Sequence, residues 1–334
     1  MTLNGTAGVE LATKLVSFLE RPNSKIVDVS LSVLGNLAMY DKPREAIIGQ
    51  NGVNILVKII SNLAEEKILG RACRVIANLA VVEVASSEFH NRGTVPLLLK
   101  TIRDVNGPKP KGAAIRAIRI LCEVKGRNRK IAAESNAVAL ITSLLKDTND
   151  QELLKIIIKA LAVLTSDTNK SSGGCGTKDS NQKLVSQVEE ETYGFEKLVN
   201  LVHVEDDAAS LSGAKRKISR RVWVPAMTVL ANLSQHSKLR PRLGNAGVVP
   251  AFVHRLQNQE SALSSKEFIH CVNALCLYCQ ESVNRLKLRE LGGLQLFVSL
   301  LTSHQFHHKA VHKRVLGSLV RFGYDAISMK VYSL

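Results

Sequence analysis

The segments VLGNLA (33–38) and VIANLA (75–80) are two copies of one pattern, and five further copies follow along the chain. These copies are AIRILC, ALAVLT, VLANLS, ALCLYC and VLGSLV, and they align without gaps. The fourth residues of the seven copies are Asn36, Asn78, Ile120, Val163, Asn232, Leu277 and Ser318. They are separated by 42, 42, 43, 69, 45 and 41 residues. A repeat of this length predicts a solenoid of stacked helical units.

Shorter apolar segments precede the copies and open beside a glycine, as GVNILVKII does at Gly52 and GTVPLLLKTI at Gly93. Pro96 and Pro250 occupy the first turn of such segments, where proline costs a helix little. Hydrophobic residues make up 45% of the chain and aromatic residues only 4%, a mixture that favours packed helices over a sheet. We therefore predict an all-α fold, a right-handed superhelical solenoid of about seven repeats that forms one domain over residues 1–334.

A third element, NRKIAAESNAV (128–138) and NRLKLRELGGL (284–294), completes a pattern that resembles the armadillo repeat. Three longer segments resemble the armadillo repeat-containing protein 5 family more specifically: KLRPRLGNAGVVPAFVHRLQ (238–257), NALCLYCQESVNRLKLRELGGLQLFVSLL (273–301) and VLGSLVRFGYD (315–325). This resemblance implies a substrate adaptor, because the family joins an armadillo domain that captures substrates to a C-terminal BTB domain that recruits cullin-3 ubiquitin ligase. The largest subunit of RNA polymerase II is among the family's targets. No BTB-like segment follows the repeats here, so we expect that domain to be absent.

The step of 69 residues contains two stretches with the composition of mobile insertions. Residues 167–192 begin with a run rich in Ser, Gly, Asn and Lys, which cannot bury enough apolar area to become ordered. Residues 205–221 place an acidic run before AKRKISRR. Within the second stretch, a nuclear-import signal (Lys215, Arg216, Lys217, Arg220 and Arg221), a kinase target at Ser219 and a merely solubilising loop all stay open.

A basic stripe recurs one helical turn before the fourth position of the repeat. The residues there are Ser32, Arg74, Arg116, Lys159, Thr228, Asn273 and Arg314, and Arg119 and Lys155 project nearby. In an armadillo stack the long helices line the concave face, so the stripe predicts a groove for an acidic or phosphorylated extended segment of a client protein. A solvated helix face is the alternative. The predicted groove comprises Asn36, Arg74, Asn78, Arg116, Arg119, Lys155, Lys159, Asn232 and Arg314.

The repeated asparagines permit two interpretations. A side-chain amide offers donors and an acceptor to an extended peptide backbone, or it ties neighbouring helices together. Basic import signals are disfavoured as ligands because the stripe would repel them.

The net charge and the residue types limit which other functions are possible. The chain carries 45 Lys and Arg against 29 Asp and Glu, a formal charge of +16, which favours acidic partners. Nucleic acid is a disfavoured alternative because Trp223 and the five tyrosines are not interleaved with the stripe, and a general scaffold or adhesion protein is a second alternative. We expect no enzyme, cofactor or metal. No membrane span or secretion signal is evident, which predicts the cytoplasm and nucleus.

Overall fold

The computed structural model describes residues 5–62, 65–166, 178–203, 219–258, 263–302 and 309–324. In these ranges the regular structure is helical throughout, which confirms the predicted all-α solenoid. None of the described helices is both long and apolar enough to cross a membrane.

The helices fall into three kinds that alternate along the chain. Seven long helices contain the repeated pattern: α2 (Ser24–Leu37), α5 (Glu66–Leu79), α8 (Pro108–Val124), α11 (Gln151–Leu164), α14 (Arg220–Leu233), α17 (Ser265–Tyr278) and α20 (Lys309–Tyr324). After each of the first six long helices the next repeat begins with a shorter helix, which we call its first helix. These are α3 (Asp41–Gly49), α6 (Glu83–Asn91), α9 (Gly126–Glu134), α12 (Lys178–Glu190), α15 (Arg240–Asn245) and α18 (Ser282–Glu290). A second helix comes next: α4 (Gly52–Ser61), α7 (Thr94–Asp104), α10 (Ala137–Asp147), α13 (Thr192–Val202), α16 (Val248–Asn258) and α19 (Gly293–Thr302). Helix α1 (Thr6–Phe18) precedes the series.

The turn from a first helix to a second helix uses left-handed backbone in five repeats. The residues with positive φ are Asn51 (60°), Gly93 (64°), Asn136 (56°), Gly247 (96°) and Gly292 (72°). Glycine adopts this conformation without a steric penalty and asparagine tolerates it better than most residues. The chemistry of this one position therefore reverses the chain at the same point of each of these repeats.

An arginine of the first helix closes the preceding long helix in four repeats. The guanidinium groups donate to carbonyl oxygens at the end of the long helix: Arg44 to Ala38 (2.8 Å), Arg129 to Cys122 (3.0 Å), Arg240 to Ser234 (2.7 Å) and Arg285 to Cys279 (2.8 Å). These carbonyls lack partners within their own helix, and a cation is favourable beside the negative end of the helix dipole.

The repeated pattern supplies the apolar contacts between successive repeats. In the first six copies its second residue is fully buried: Leu34, Ile76, Ile118, Leu161, Leu230 and Leu275. The sixth residue is also buried in those copies: Ala38, Ala80, Cys122, Thr165, Ser234 and Cys279. The corresponding residues of α20, Leu316 and Val320, are 52% and 56% exposed. The second and sixth positions are thus core in six copies and surface in the seventh, where Val315 and Ser318 are still buried.

The structure corrects the predicted insertion over residues 167–192. Helix α12 occupies Lys178–Glu190 and supplies the first helix of its repeat, with Leu184 and Val188 buried. Residues 167–177 of that stretch and residues 204–218 lie outside the described residues. These two segments hold 26 residues, and without them the step of 69 becomes 43, the ordinary period. Ser219, Arg220 and Arg221 also depart from the predicted insertion over 205–221, because they begin α14.

Residue contacts divide the chain into two compact units. Unit 1 comprises residues 1–164 and 168–184, and unit 2 comprises residues 165–167 and 185–334. In unit 1 the long helices α2, α5, α8 and α11 pack in chain order, each on the next. In unit 2 the long helices α14, α17 and α20 do the same. The description of the chain as one domain stays a prediction.

Candidate functional site

The asparagines of the repeat in unit 1 connect neighbouring long helices. Asn78 Nδ2 donates to the carbonyl oxygen of Gly35 in the preceding repeat, at 2.8 Å. Its Oδ1 accepts from Nη2 of Arg116 in the following repeat, at 3.2 Å. Asn36 Oδ1 likewise accepts from Nη2 of Arg74. Each of these arginines lies 38 residues after its asparagine, so one side-chain ladder crosses α2, α5 and α8.

Gly35 provides the surface on which Arg74 lies. A Cβ atom added to Gly35 would be 3.4 Å from both Cζ and Nε of Arg74 and 3.6 Å from its Cδ. The guanidinium group therefore packs closely over backbone that carries no side chain. This contact fixes Arg74 beside Asn36, while the side chain stays partly accessible to solvent.

Positive charge accumulates around Arg116. Partial burial lowers the pKa of the Arg116 guanidinium, and the nearby charges of Arg119 and Arg74 lower it further. Arginine nonetheless stays protonated at neutral pH. Arg74 of α5 and Arg119 of α8 thus both lie within electrostatic range of Arg116.

Lys155 and Lys159 extend this charge onto α11, where they are one turn apart. Two of the cations have acidic neighbours: Arg119 Nη1 lies 2.7 Å from Glu123 Oε2, and Lys155 Nζ lies 2.6 Å from Glu152 Oε1. The described residues form no ion pair with Arg74, Arg116 or Lys159. We call Arg74, Arg116, Arg119, Lys155 and Lys159 the basic face of unit 1.

Unit 2 repeats the asparagine contact with different partners. Asn232 Nδ2 donates to Thr165 Oγ1 at 3.1 Å, and Nε2 of His270 lies 2.9 Å from Asn232 Oδ1. His270 follows its asparagine by 38 residues, as Arg74 and Arg116 do. The alignment of the repeated pattern instead assigns Asn273 to this position, because Asn273 lies one turn before the fourth residue, Leu277. A search for polar residues at a fixed 38-residue separation would have found His270. Arg314, the remaining residue of the predicted groove, lies exposed on α20 in unit 2.

The predicted modification site lies at the beginning of α14. Ser219 is the N-cap residue, and its Oγ accepts a hydrogen bond from the backbone nitrogen of Arg221 at 3.3 Å. Arg220 is 3.4 Å from the carboxylate of Glu267. The other residues of the predicted nuclear-import signal, Lys215, Arg216 and Lys217, lie outside the described residues.

The thiols do not form a reactive or metal-binding centre within the described ranges. Burial raises the pKa of the Cys73, Cys122 and Cys271 thiols to about 12 and that of Cys276 to about 11. These thiols are therefore protonated at neutral pH, which leaves little of the thiolate needed for nucleophilic attack. The described residues contain no group of three or more His, Cys, Asp or Glu side chains arranged to hold a metal ion.

A match to a protein-family model identifies the family of this chain. The model of the armadillo-repeat region of ARMC5, armadillo repeat-containing protein 5, matches residues 25–333. The chain belongs to the ARMC5 family. A search of curated protein sequences finds no significant match.

Solved structures place this ARMC5-family chain in the armadillo fold. An engineered protein from a structural genomics consortium aligns with a TM-score of 0.71 at 22% identity, over 93% of this chain and 68% of the engineered one. A designed armadillo repeat protein in complex with the peptide (KR)4 aligns with a TM-score of 0.59 at 22% identity, over 78% of this chain and 98% of the designed one. A second designed armadillo repeat protein gives 0.61 at 21% identity, with the same coverage. The chain therefore has the armadillo solenoid fold.

Proposed function

We propose that this chain binds an extended acidic segment of a client protein on the basic face of unit 1. The observation that carries the proposal is the recurrence of Arg74, Arg116 and Lys159, none of them in an ion pair among the described residues, at one repeat position of three consecutive long helices. A carboxylate or phosphate group would receive charged hydrogen bonds there.

The ladder leaves the arginines able to bind such a group. Arg74 and Arg116 each use Nη2 for an asparagine of the preceding repeat. A guanidinium carries five N–H donors in a planar fork, so further donors remain on both side chains. The asparagine contact also orients the fork before a ligand arrives, which reduces the entropy lost on binding.

The sign of the charge selects the ligand class. The designed armadillo repeat protein cited above was solved with a peptide of alternating Lys and Arg. The basic face of unit 1 would repel such a peptide and attract an acidic one. Glutamate-rich and phosphorylated segments share this chemistry, and parallel titrations with both kinds of peptide distinguish them.

The test is a peptide titration followed by fluorescence anisotropy at fixed ionic strength. The variant Arg74→Gln, Arg116→Gln, Lys159→Gln removes three charges, and glutamine still supplies an N–H donor for Asn36 and Asn78. The matched control Lys58→Gln, Lys100→Gln, Arg103→Gln removes three exposed charges from the second helices α4 and α7. With about 1 kcal/mol lost for each charged contact, binding should weaken by roughly 100-fold in the first variant and by only a few-fold in the control.

Equal weakening in the two variants would show that overall charge, and not the basic face, attracts the peptide. Single-stranded RNA added as competitor addresses the nucleic-acid alternative. Among the described residues no aromatic platforms for bases accompany the basic face, so we expect RNA to compete poorly. If RNA displaces the acidic peptide at equal charge concentration, the protein-binding proposal fails.

Membership of the ARMC5 family supports a more specific role. We propose that the chain is the substrate-recognition part of a cullin-3 ubiquitin ligase adaptor that acts in the cytoplasm and nucleus, with the largest subunit of RNA polymerase II as a candidate client. A BTB domain from the family, fused to the C-terminus, should allow cullin-3 to co-purify and a bound client to be ubiquitinated. If residues 1–334 alone recruit cullin-3 and support ubiquitin transfer, this division of labour is wrong.

A further inference from the structure

Four exposed apolar side chains lie at the turns between a long helix and a first helix in unit 1. Met39 is 65% exposed and Tyr40 is 40% exposed at the turn after α2. Val81 is 47% exposed at the turn after α5, and Val84 is 69% exposed at the start of α6. We call these four residues the apolar rim.

The two turns occupy equivalent positions of successive repeats. Met39 and Val81 are 42 residues apart, and each follows its ladder asparagine, Asn36 or Asn78, by three residues. The first of these turns follows its asparagine directly, because the backbone nitrogen of Met39 donates to the carbonyl oxygen of Asn36 at 3.2 Å. At the next pair of turns, Nζ of Lys125 is 2.9 Å from Oε1 of Glu83. That ion pair shows directly that turns of successive repeats in this unit lie side by side.

The character of the surface changes from the first repeat of unit 1 to the third. Three residues after the pattern's fourth residue, Met39 and Val81 give way to Glu123, which pairs with Arg119. At the position one turn before the pattern's fourth residue, uncharged Ser32 gives way to Arg74 and Arg116. At these two positions the first repeat therefore carries only uncharged side chains, whereas the second and third repeats each carry an arginine. Asp41, which pairs with Arg44, lies beside Tyr40 at the apolar end.

We propose that the client segment has two parts: one or two large apolar side chains that bind the apolar rim, and an acidic run that binds the basic face. This inference rests on the proposed function and narrows its ligand class. Packed helices are about 8–10 Å apart and an extended residue spans about 3.3 Å, so a bound segment advances roughly three residues per repeat. The apolar side chains should thus lie about three to six residues from the nearest carboxylate.

Recurrence at equivalent turns of successive repeats distinguishes the apolar rim from scattered surface residues. Single exposed apolar side chains are common on soluble proteins, whereas neighbouring ones that adjoin a polar recognition surface typify binding sites. Met39 and Val81 each become buried only if a ligand covers the turn, so they contribute affinity that a purely acidic segment cannot obtain.

The experiment compares fluorescent peptides of equal length and charge. One carries a glutamate run with a Gly-Ser extension. Two others replace two residues of the extension with Leu and Phe, about four residues before or after the run. For the unmodified chain, one of the two apolar peptides should bind about tenfold more tightly than the acidic peptide.

The double variant Met39→Gln, Val81→Gln should abolish that tenfold gain and leave the affinity for the acidic peptide unchanged. The control Val283→Gln, Val298→Gln changes two side chains of unit 2 that are each 50% exposed, and it should retain the gain. All four sites are exposed, so circular dichroism should show intact folds. If the three peptides bind the unmodified chain equally, the apolar contribution is refuted while the proposed function stands. If none of them binds, the proposed function itself fails.

Discussion

Replacing Gly244 with alanine should destabilise unit 2, although the residue lies in a helix, where alanine is ordinarily preferred. A Cβ atom at this position would overlap Oδ1 of Asn284 and lie 2.6 Å from its Cγ. Asn284 is only 1% exposed, and its Nδ2 donates to the carbonyl oxygen of Arg240 at 3.3 Å. The amide therefore cannot move aside without losing that contact within a buried site.

The expected size follows from three contributions. Overpacking of a buried site costs about 1–3 kcal/mol. Loss of the hydrogen bond from Asn284 leaves buried polar groups unpaired, which costs about 1–3 kcal/mol more. The helix propensity of alanine returns about 1 kcal/mol. The net loss in the free energy of unfolding is about 1–5 kcal/mol, or roughly 2–20 °C in melting temperature for a unit of this size.

The assay is thermal and urea unfolding followed by circular dichroism, with Gly317→Ala as the matched control. Gly317 is also helical, and an added Cβ there would meet no atom within 4 Å, so that variant should be as stable as the unmodified chain or slightly more stable. The double variant Gly244→Ala, Asn284→Ala should be less destabilised than the sum of its single variants, because the clash disappears. If Gly244→Ala melts with Gly317→Ala, the close packing of Asn284 on Gly244 is wrong.

Two further predictions concern the buried thiols and α12. Burial raises the pKa of the Cys73 and Cys122 thiols from 9.0 to about 12, so folding favours their protonated form. The stability that these thiols contribute is therefore complete below pH 9 and should fall as the pH rises towards 12. Urea titrations at about pH 8 and about pH 10.5 would measure that fall. The variants Leu184→Asp and Val188→Asp should each lower the free energy of unfolding by about 2–4 kcal/mol. The control Gln182→Asp, on the exposed side of the same helix, should change the melting temperature little. Equal effects of the three variants would place α12 outside the core.

The sequence predicted the long helices well because their apolar positions recur with a fixed period. It failed at α12, where LVSQV supplies little more than Leu184 and Val188 to a buried stripe and the preceding residues are polar. Packing against neighbouring helices stabilises such a segment, and composition alone does not reveal that contact. The left-handed turns show the reverse case, since Gly93 and Asn136 carry the required backbone preference in their own chemistry.

The candidate site was predictable only in part. The period placed Arg74 and Arg116 at one repeat position, but it did not show that both arginines bind the asparagine of the preceding repeat. Such pairings depend on which turns of two helices face each other. In unit 2 the facing residue is His270, one turn before the position that the alignment selects.

The ladder of asparagine and arginine side chains holds successive repeats together and also positions the guanidinium groups. Asn78 donates to Gly35 and accepts from Arg116, so its removal would loosen the stack and release the arginine together. Loss of binding in an Asn78→Ala variant would therefore not distinguish a direct ligand contact from a displaced guanidinium. Glutamine at position 116 keeps a donor for Asn78 while it removes the charge, and lysine keeps a charge without the planar fork. Graded loss of binding from arginine to lysine to glutamine, with unfolding unchanged, would assign the affinity to the guanidinium itself.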